Sequence, residues 1–362
     1  MAVTPSFWKG RRVFLTGHTG FKGGWLSLWL SSMGAEVHGY ALPPPTEPDL
    51  FTVARVADGL ASHTIGDIRD QDALHEALAR SSAEVVFHLA AQPLVRYSYD
   101  NPIETYSTNV MGTAYLLEAV RSVASVKSVV SVTTDKCYEN REWAWGYREN
   151  ESLGGYDPYS SSKACAELVT AAYRQSFLAA SGVAVATARA GNVIGGGDWA
   201  ADRLLPDFLR ALDAGKILEI RSPNSIRPWQ HVLEPLAGYI SLAEHLAQTG
   251  EKAAEAWNFG PADEDAQPVR WIVEQLVAQV PGAQWVSRQN STQLHEANYL
   301  KLDSSKARAR LGWAPRWRLS EALGKTIAWH QAWRAGEDMR SVSLEQIRAY
   351  SGVKGEAALG AI

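Results

Sequence analysis

Cysteine is almost absent from this 362-residue chain, which contains only Cys137 and Cys165. Two cysteines cannot supply a disulfide framework, so we expect the protein to work in a reducing compartment, the cytoplasm. The nine histidines are scattered, and neither an HExxH nor a CxxC motif occurs. The sequence therefore predicts no metal site.

Long hydrophobic runs and an excess of positive charge are also lacking. No stretch reaches the ~18 apolar residues of a membrane span, and the N-terminal residues lack the apolar segment of a secretory signal. The 35 Lys and Arg residues against 39 Asp and Glu residues give a net charge of −4. We therefore expect no nucleic-acid partner and no membrane partner, although a local cationic pocket for a phosphorylated small molecule is compatible with this balance.

Short apolar runs alternate with longer amphipathic segments through the first half of the chain, which is typical of a parallel sheet wrapped in helices. Strands are predicted at Val13–Thr16, Glu36–Tyr40, Val85–Leu89, Val126–Val132 and Val183–Ala188. Helices are predicted between them near Lys22–Met33, Asp70–Arg80, Asn109–Ala124 and Pro158–Ala180. The expected fold is α/β, a Rossmann-type doubly wound parallel sheet over residues 1–190.

The pattern of apolar and amphipathic segments changes at about Gly191, where a smaller C-terminal α/β lobe over residues 191–362 is expected to begin. Its predicted elements are a short strand near Ile217–Ile220 and helices near Arg203–Ala214, His231–Gln248, Val269–Gln279, Ser304–Leu311 and Ser320–Arg334. We expect some segments, above all the helix over 231–249, to pack back on the first lobe. The small, polar tail Lys354–Ile362 is expected to fray.

Three glycines, Gly17, Gly20 and Gly23, lie between the first predicted strand and the first long helix. Glycines there let the backbone turn tightly against a pyrophosphate, which rests on the helix N-terminus. The second strand ends in Gly39-Tyr-Ala-Leu-Pro, with no arginine for a 2′-phosphate, which favours NAD over NADP. Asp67 follows a third strand, where its carboxylate could bind the adenine amino group. Its alternative role is the N-cap of the next helix, but Asp70 fits that role better.

Tyr159 and Lys163 are four residues apart at the start of a strongly helical stretch, so both side chains face one cleft. A nearby ammonium favours the phenolate, and we therefore expect Lys163 to lower the pKa of Tyr159. The strand over 126–132 ends in Thr133-Thr134-Asp135-Lys136, which brings further polar groups to the same edge of the sheet.

These motifs resemble the extended short-chain dehydrogenases/reductases. The resemblance is carried by Thr16–Gly23, Leu89–Ala91, Asn109 within Thr-Asn-Val-Met-Gly-Thr, and the Tyr159/Lys163 pair. Within that superfamily the chain is similar to the nucleotide-sugar 4,6-dehydratases, and most of all to the subgroup acting on CDP-glucose. The closer match is carried by the segments 132–140, 191–207 and 227–236.

The resemblance implies that the first lobe binds NAD, held tightly and recycled in each turnover, and that the second binds mainly a nucleotide sugar. The implied cofactor residues are Gly17, Gly20, Phe21, Gly23, Asp67, Ile68, Leu89, Ala91, Asn109, Tyr159 and Lys163. Those implied for substrate are Gln92, Asn192, Arg203 and Arg227. Tyr97 and Ser98 are candidates for the sugar cleft, and Trp199 and Trp229 for the base or for core packing.

The implied reaction is a redox-neutral dehydration of a hexose in deoxysugar synthesis for lipopolysaccharide O-antigen. Tyr159 would take the C4 hydroxyl proton, with Thr134 bonded to the same oxygen and Lys163 supporting the phenolate. Asp135 would protonate the departing C6 hydroxyl. Many relatives have a glutamate after this acid as the C5 base, whereas this chain has Lys136, which would act either as a neutral base or as an electrostatic stabiliser.

Three other functions are weighed against this one: a UDP-hexose 4-epimerase-like enzyme, a dehydratase for another nucleotide sugar, and a non-catalytic NAD-sensing regulator. An epimerase needs no acid for C6, so Asp135 argues against it. A regulator would be expected to lose the Tyr159/Lys163 pair. The resemblance further implies a homodimer packed through the helices over 109–124 and 158–180.

Overall fold

The computed structural model describes residues 3–288 and 298–352; the tail predicted to fray lies outside them. Its strands are β1 Arg12–Thr16, β2 Glu36–Ala41, β3 Ser62–Ile65, β4 Val85–His88, β5 Ser128–Val132, β6 Ala184–Ala190, β7 Asn192–Ile194, β8 Leu218–Ile220, β9 Ile226–His231, β10 Ala256–Phe259, β11 Ala266–Pro268 and β12 Trp285–Ser287. Its helices are α1 Pro5–Trp8, α2 Phe21–Ser32, α3 Leu50–Val53, α4 Gln71–Ser81, α5 Val95–Asp100, α6 Pro102–Tyr106, α7 Gly112–Ser122, α8 Pro158–Tyr173, α9 Leu204–Asp213, α10 Leu233–Thr249, α11 Val269–Gln279, α12 Ser305–Leu311, α13 Leu319–Arg334 and α14 Met339–Ser351.

A seven-stranded parallel sheet in the order β10-β6-β5-β4-β1-β2-β3 forms the centre of the molecule. The five strands predicted in the first half are confirmed, with ends that differ by one or two residues. The predicted α/β fold with a doubly wound sheet is therefore correct. The strand order reverses between β1 and β4, and ligands in open parallel sheets bind beyond the strand ends at such a switch point.

The two faces of the sheet follow from alternation along each strand. Leu15, Phe87 and Val130 belong to one apolar cluster, which also holds the buried side chains of α2 and α10. Their neighbours Phe14, Val86 and Val129 belong to a second cluster beneath α4 and α7. Because successive strand residues point to opposite faces, near-continuous apolar strands bury both faces under helices.

The C-terminal half contributes elements both to the main sheet and to a smaller group of strands and helices beside it. Helix α10 packs against β5 and β6, as expected for the segment over 231–249. Strand β10 pairs with β6 at the edge of the main sheet, which the sequence did not predict. The remaining strands form the sheet β11-β9-β7 and the pair β12-β8, which enclose a separate apolar cluster with α9, α11 and α13.

A buried ion pair ties helix α8 to the sheet. The Arg189 guanidinium on β6 donates two hydrogen bonds to the Glu167 carboxylate on α8, at 2.9 and 2.8 Å. The Thr133 hydroxyl after β5 and the Thr187 hydroxyl also donate to this carboxylate. Burial opposes ionisation of Glu167, but the Arg189 charge and these hydrogen bonds together hold its pKa below the usual value.

Removing one charge of this pair should destabilise the fold strongly. In Glu167→Gln, the Arg189 guanidinium stays buried without its counter-charge, so we expect the free energy of unfolding to fall by about 3–5 kcal/mol. Urea denaturation measures the change. The control is Glu76→Gln, which breaks the exposed pair with Arg80 and should cost less than about 1 kcal/mol. Equal losses in the two variants would contradict this role of the buried pair.

Candidate active site

The turn between β1 and α2 has no room for side chains at two of its glycines. Gly17 has a φ of +81°, and a Cβ there would lie 2.7 Å from the Ala90 nitrogen. A Cβ on Gly23 would lie 2.0 Å from the Gly17 oxygen. These glycines let the turn pack tightly against itself and against the end of β4. The N-terminus of α2 then borders the cavity, and free N–H groups at such a position favour an anion. This cradle fits the pyrophosphate of a dinucleotide.

The cavity that begins at this turn has a volume of about 1180 Å³ and runs along the carboxyl ends of the strands into the C-terminal half. Pockets for one drug-sized ligand have volumes of roughly 300–1,000 Å³, so this cavity is larger than a typical pocket for a single small ligand. Most of the predicted site residues share its wall. They are Gly17, Gly20, Phe21, Gly23, Asp67, Ile68, Leu89, Ala91, Thr134, Asp135, Lys136, Tyr159, Lys163, Asn192, Arg203 and Arg227.

The wall beyond β2 and β3 is built from Tyr40 and Asp67. The Tyr40 hydroxyl donates to the Asp67 carbonyl at 2.9 Å, and the Asp67 carboxylate accepts three hydrogen bonds from the Arg69 guanidinium. The hydrogen bonds from Arg69 lower the pKa of Asp67. Arg69 is thus held by a carboxylate and is not part of the cavity wall, so it offers no free cation for a 2′-phosphate.

Tyr159 and Lys163 lie on the first two turns of α8, which begins at Pro158 after the N-cap Asp157. The Tyr159 backbone N–H donates to the Ser98 hydroxyl at 3.1 Å, which fixes the start of the helix. The Lys163 ammonium donates to the Val132 carbonyl at 3.3 Å. Helix and strand end together hold both side chains at the centre of the cavity.

The electrostatics of Tyr159 correct one expectation from the sequence. Burial raises the pKa of Tyr159 to about 12, opposed by a hydrogen bond with Thr134 and by the charge of Arg203. Burial likewise lowers the pKa of Lys163, to about 8, because the charged form loses its hydration. Desolvation therefore raises the pKa of Tyr159 by more than the neighbouring positive charge lowers it. The cation that lowers this pKa is Arg203, whereas the sequence predicted Lys163.

Asp135 is enclosed directly beside Thr134, in a short 3₁₀ turn after β5. Its Oδ1 atom accepts from the Thr134 hydroxyl at 3.0 Å, and its buried Oδ2 atom has no hydrogen-bond partner within residues 3–288 and 298–352. A Cβ on Gly191 would come within 3.1 Å of Oδ2. Burial raises the pKa of Asp135, while the charges of Lys136, Arg227 and Lys22 oppose it. A buried carboxyl of this kind favours its protonated, acidic form.

The wall facing Tyr159 comes from β7, β9 and the start of α9. Asn192 pairs with Trp229 across β7 and β9, and Arg227 is buried close enough to Asp135 to affect its pKa. The Arg203 guanidinium donates to the Asp198 carboxylate at 2.9 Å. Both tryptophans considered for the base line the cavity. Trp199 also packs on Trp329 and Trp333.

Four predicted side chains lie outside the cavity wall. The Gln92 amide donates to Thr105, and Asn109 bonds both to the Gln92 backbone and to the Ser162 hydroxyl. The Tyr97 hydroxyl donates to Glu104, and the Ser98 hydroxyl donates to a backbone carbonyl. Gln92 and Tyr97 are thus bonded to α6, whereas Asn109 and Ser98 are bonded to α8, and we expect all four to support the site rather than touch a ligand.

Two charged residues near the site were missed in the sequence analysis. Glu167 follows Lys163 by four residues, so the spacing of Tyr159 and Lys163 already continues to it along one helix face. Lys22 lies inside the glycine motif and lines the cavity with the catalytic candidates. The glycine spacing predicts a role for the backbone at this turn and contains no signal for the lysine side chain.

The described residues contain no group of three or more His, Cys, Asp or Glu side chains arranged to hold a metal ion. Within the same residues, no helix has the length and apolar character needed to cross a membrane.

Comparison with known proteins assigns this chain to a family. Residues 14–326 match the family described as GDP-mannose 4,6 dehydratase. A CDP-glucose 4,6-dehydratase of Salmonella typhimurium is 58% identical over 354 residues, which are 96% of this chain and 98% of that protein. A dTDP-glucose 4,6-dehydratase of Streptomyces antibioticus is 29% identical, covering 75% of this chain and 76% of that protein.

Solved structures give the same fold. MoeE5, in complex with UDP-glucuronic acid and NAD, superposes with a TM-score of 0.74 at 25% identity, covering 88% of this chain and 98% of that one. A double mutant of dTDP-glucose 4,6-dehydratase from Streptomyces venezuelae, with NAD bound, has a TM-score of 0.74 at 24% identity, covering 90% and 98%. The chain belongs to the GDP-mannose 4,6-dehydratase family, within the extended short-chain dehydrogenases/reductases.

Proposed function

We propose that this chain catalyses the NAD-dependent, redox-neutral dehydration of CDP-D-glucose to CDP-4-keto-6-deoxy-D-glucose, as a hydro-lyase in deoxysugar synthesis. The 58% identity to a CDP-glucose 4,6-dehydratase over nearly the whole chain supports the choice of substrate. The observation that carries the reaction type is the buried Asp135 carboxyl, whose Oδ2 atom has no partner among the described residues. An epimerase has no step that uses such an acid. Both cysteines are free thiols, in keeping with a cytoplasmic enzyme.

NAD fits the half of the cavity that begins at the glycine turn. Gly17, Gly20 and Gly23 would let the pyrophosphate reach the backbone N–H groups of α2, with the Phe21 side chain beside it. Asp67 and Ile68 would line the adenine end, and Leu89 and Ala91 would line the middle. When bound, NAD supplies an acceptor for hydride at substrate C4 and a donor for its return to C6.

Tyr159 takes the proton of the C4 hydroxyl in the first step. Its hydrogen bond with Thr134 places a second hydroxyl at the same substrate oxygen. Because burial raises the pKa of Tyr159 to about 12, the phenol needs positive charge nearby to lose its proton. Arg203 supplies such charge, and Lys163, held by the Val132 carbonyl, follows Tyr159 by one turn on the same helix.

Asp135 acts in the elimination that follows. A ketone at C4 acidifies the C5 proton, and the C6 hydroxyl must be protonated to leave as water. The raised pKa of the buried Asp135 carboxyl keeps a proton available for that oxygen. The product keeps its ketone at C4, so the proton that Tyr159 took from the C4 hydroxyl replaces the one that Asp135 gave to the departing water, and the enzyme returns to its starting state.

Lys136 directly follows Asp135 in the chain and is the candidate for the group that acts at C5 during the elimination. Its backbone N–H donates to the Thr134 hydroxyl at 3.4 Å, so the 3₁₀ turn holds acid and lysine next to each other. We propose that its side chain acts on the C5 proton or on the enolate formed when that proton leaves. A neutral amine would do the first and an ammonium the second.

The nucleotide sugar would occupy the half of the cavity that β7, β9 and α9 line. Arg203 and Arg227 are suited to its pyrophosphate because a planar guanidinium binds phosphate oxygens in pairs. Asn192 would contact the sugar end. Gln92 is left out of this set because its side chain is engaged with Thr105 and Leu94 outside the cavity wall.

We also propose a homodimer formed through α7, α8 and the segment before α7. Large apolar side chains are exposed along this side: Ile103 by 80%, Leu168 by 59%, Met111 by 45% and Phe177 by 39%. These side chains lie on elements that contact one another, and exposed apolar residues grouped in this way are typical of an interaction site. A two-fold interface would bring the same residues together from both chains.

The direct test of function is mass spectrometry of CDP-glucose incubated with the protein and a substoichiometric amount of NAD. We expect a product lighter by one water, with no net reduced nucleotide. A product of unchanged mass would indicate an epimerase, and equal turnover of dTDP-, GDP- or UDP-glucose would contradict the choice of CDP-glucose. Binding of NAD without turnover of any of these sugars would indicate a regulator.

Asp135→Asn separates the two halves of the reaction. The amide cannot donate the proton that C6 needs, so loss of water should slow by about 10²–10⁴-fold while oxidation at C4 continues. With enzyme and NAD⁺ supplied in amounts equal to the sugar, mass spectrometry should then detect a 4-keto nucleotide sugar two mass units below the substrate, together with an equal amount of NADH. Tyr159→Phe is the matched comparison and should give neither species. Loss of water at the wild-type rate in Asp135→Asn would show that another group is the acid.

The dimer is tested by light scattering of the wild type and of Leu168→Glu. We expect a dimer mass for the wild type and a shift toward monomer in the variant, because a buried unpaired carboxylate is costly at an interface. Ile217→Glu, at a residue 50% exposed and away from α7 and α8, is the control and should stay dimeric. A monomeric wild type would refute the proposal.

A further inference from the structure

Arg96 belongs to the cavity wall, and the reaction described above gives it no role. It is the second residue of α5, in the segment that follows β4, and 34% of its side chain is exposed. Its Nε atom is nevertheless buried and has no hydrogen-bond partner within residues 3–288 and 298–352. A buried N–H group of a cation is costly to leave without an acceptor, so this atom points to a ligand.

The carboxylate that faces Arg96 comes from the other half of the chain. Asp202 directly precedes Arg203 in the loop that leads into α9, and its Oδ1 atom lies 3.7 Å from the Arg96 Nε atom. This separation is too long for a hydrogen bond. The same Oδ1 atom accepts from the Arg221 guanidinium, after β8, at 3.0 Å. One carboxylate oxygen of the cavity wall thus faces two guanidinium groups, and it is hydrogen-bonded to the one on Arg221.

This ion pair places Arg96 beside the part of the cavity suited to the substrate's diphosphate. Arg203, the chain neighbour of Asp202, is one of the two arginines assigned to that group, and both come from the C-terminal half. Arg96 comes from the segment after β4 and reaches the same region from the cofactor-binding half. A diphosphate has more acceptor oxygens than a carboxylate, and a guanidinium binds them in pairs. Phosphate oxygens would therefore satisfy the Arg96 Nε atom, which Asp202 does not.

We propose that Arg96 is a further substrate-binding residue, which donates hydrogen bonds to the diphosphate of the nucleotide sugar, and that this diphosphate displaces the Asp202 carboxylate from it. The inference rests on the proposed function, since it requires a nucleoside diphosphate sugar in this cavity. Asp202 opposes binding, because its charge repels the phosphates and competes for the same guanidinium. Arg96 and Asp202 therefore act on the affinity for substrate in opposite directions.

The test is titration calorimetry of CDP and of cytidine with the protein saturated with NAD⁺. In Arg96→Met, the affinity for CDP should fall by roughly tenfold or more, because charge-assisted hydrogen bonds are lost. The affinity for cytidine, which has no phosphate, should stay the same. Arg80→Met is the matched control; it removes an exposed arginine of α4 outside the cavity wall and should change neither affinity.

Asp202→Asn tests the displacement. Asp202 has a φ of +59°, in the left-handed region that aspartate and asparagine both tolerate, so the substitution removes the charge and keeps the turn. We expect the affinity for CDP to rise by about fivefold, as expected when one repulsive charge a few ångströms away is removed at a hydrated site. The affinity for cytidine should again stay the same.

Four results would overturn the inference. An unchanged affinity for CDP in a folded Arg96→Met protein would show that Arg96 does not contact the phosphates, and an equal loss of CDP and cytidine affinity would assign it a structural role. An unchanged or lower affinity for CDP in Asp202→Asn would show that the carboxylate is not displaced. A wild type that binds NAD⁺ but not CDP would contradict the choice of a CDP-sugar and remove this inference with it, whereas the other three results leave the proposed function intact.

Discussion

The buried Glu167–Arg189 ion pair is the interaction on which the geometry of the site depends. Glu167 lies two helical turns after Tyr159 and one turn after Lys163, so fixing this carboxylate to β6 fixes the direction in which α8 presents both side chains. The same carboxylate accepts from Thr133, the residue before Thr134. One buried anion thus holds the helix with Tyr159 and Lys163 and the strand end with Thr134 and Asp135 in a single arrangement. A buried pair is costly to desolvate, and its value here is the unique orientation that it enforces.

Burial also sets the chemistry inside the cavity. It raises the pKa of Asp135 and Tyr159 and lowers that of Lys22 and Lys163, so each group is moved toward its uncharged form. A dehydratase needs an acid that still holds its proton and amines that are not permanently charged, in one water-poor space. Burial of these side chains in the cavity wall produces both from ordinary residues. The positive charge of Arg203 remains beside Tyr159, where it can stabilise a negative oxygen.

The sequence predicted the parts of this structure that depend on local pattern. Strand alternation, the glycine turn before α2 and the spacing of Tyr159 and Lys163 each involve a few neighbouring residues, and each led to the correct element. Strand β10 was missed because Ala256–Phe259 is short and pairs with β6 across a long sequence separation. The side chains of Gln92 and Asn109 were expected in the cavity, but their direction is set by partners such as Thr105 and Ser162 that no local pattern identifies. The pKa of Tyr159 was expected to fall, since charge is visible in a sequence and desolvation is not.

The central claim is that the hydrogen removed from C4 of the sugar is the same one that is later delivered to C6, with both transfers taking place in one cavity. It is tested most directly with CDP-glucose carrying deuterium at C4, followed by nuclear magnetic resonance of the product. The account predicts that the deuterium appears in the C6 methyl group without loss to solvent, and that a reaction in D₂O places solvent deuterium at C5. Deuterium released to water would contradict the account, and so would deuterium found again at C4 of a hexose that has kept its C6 hydroxyl.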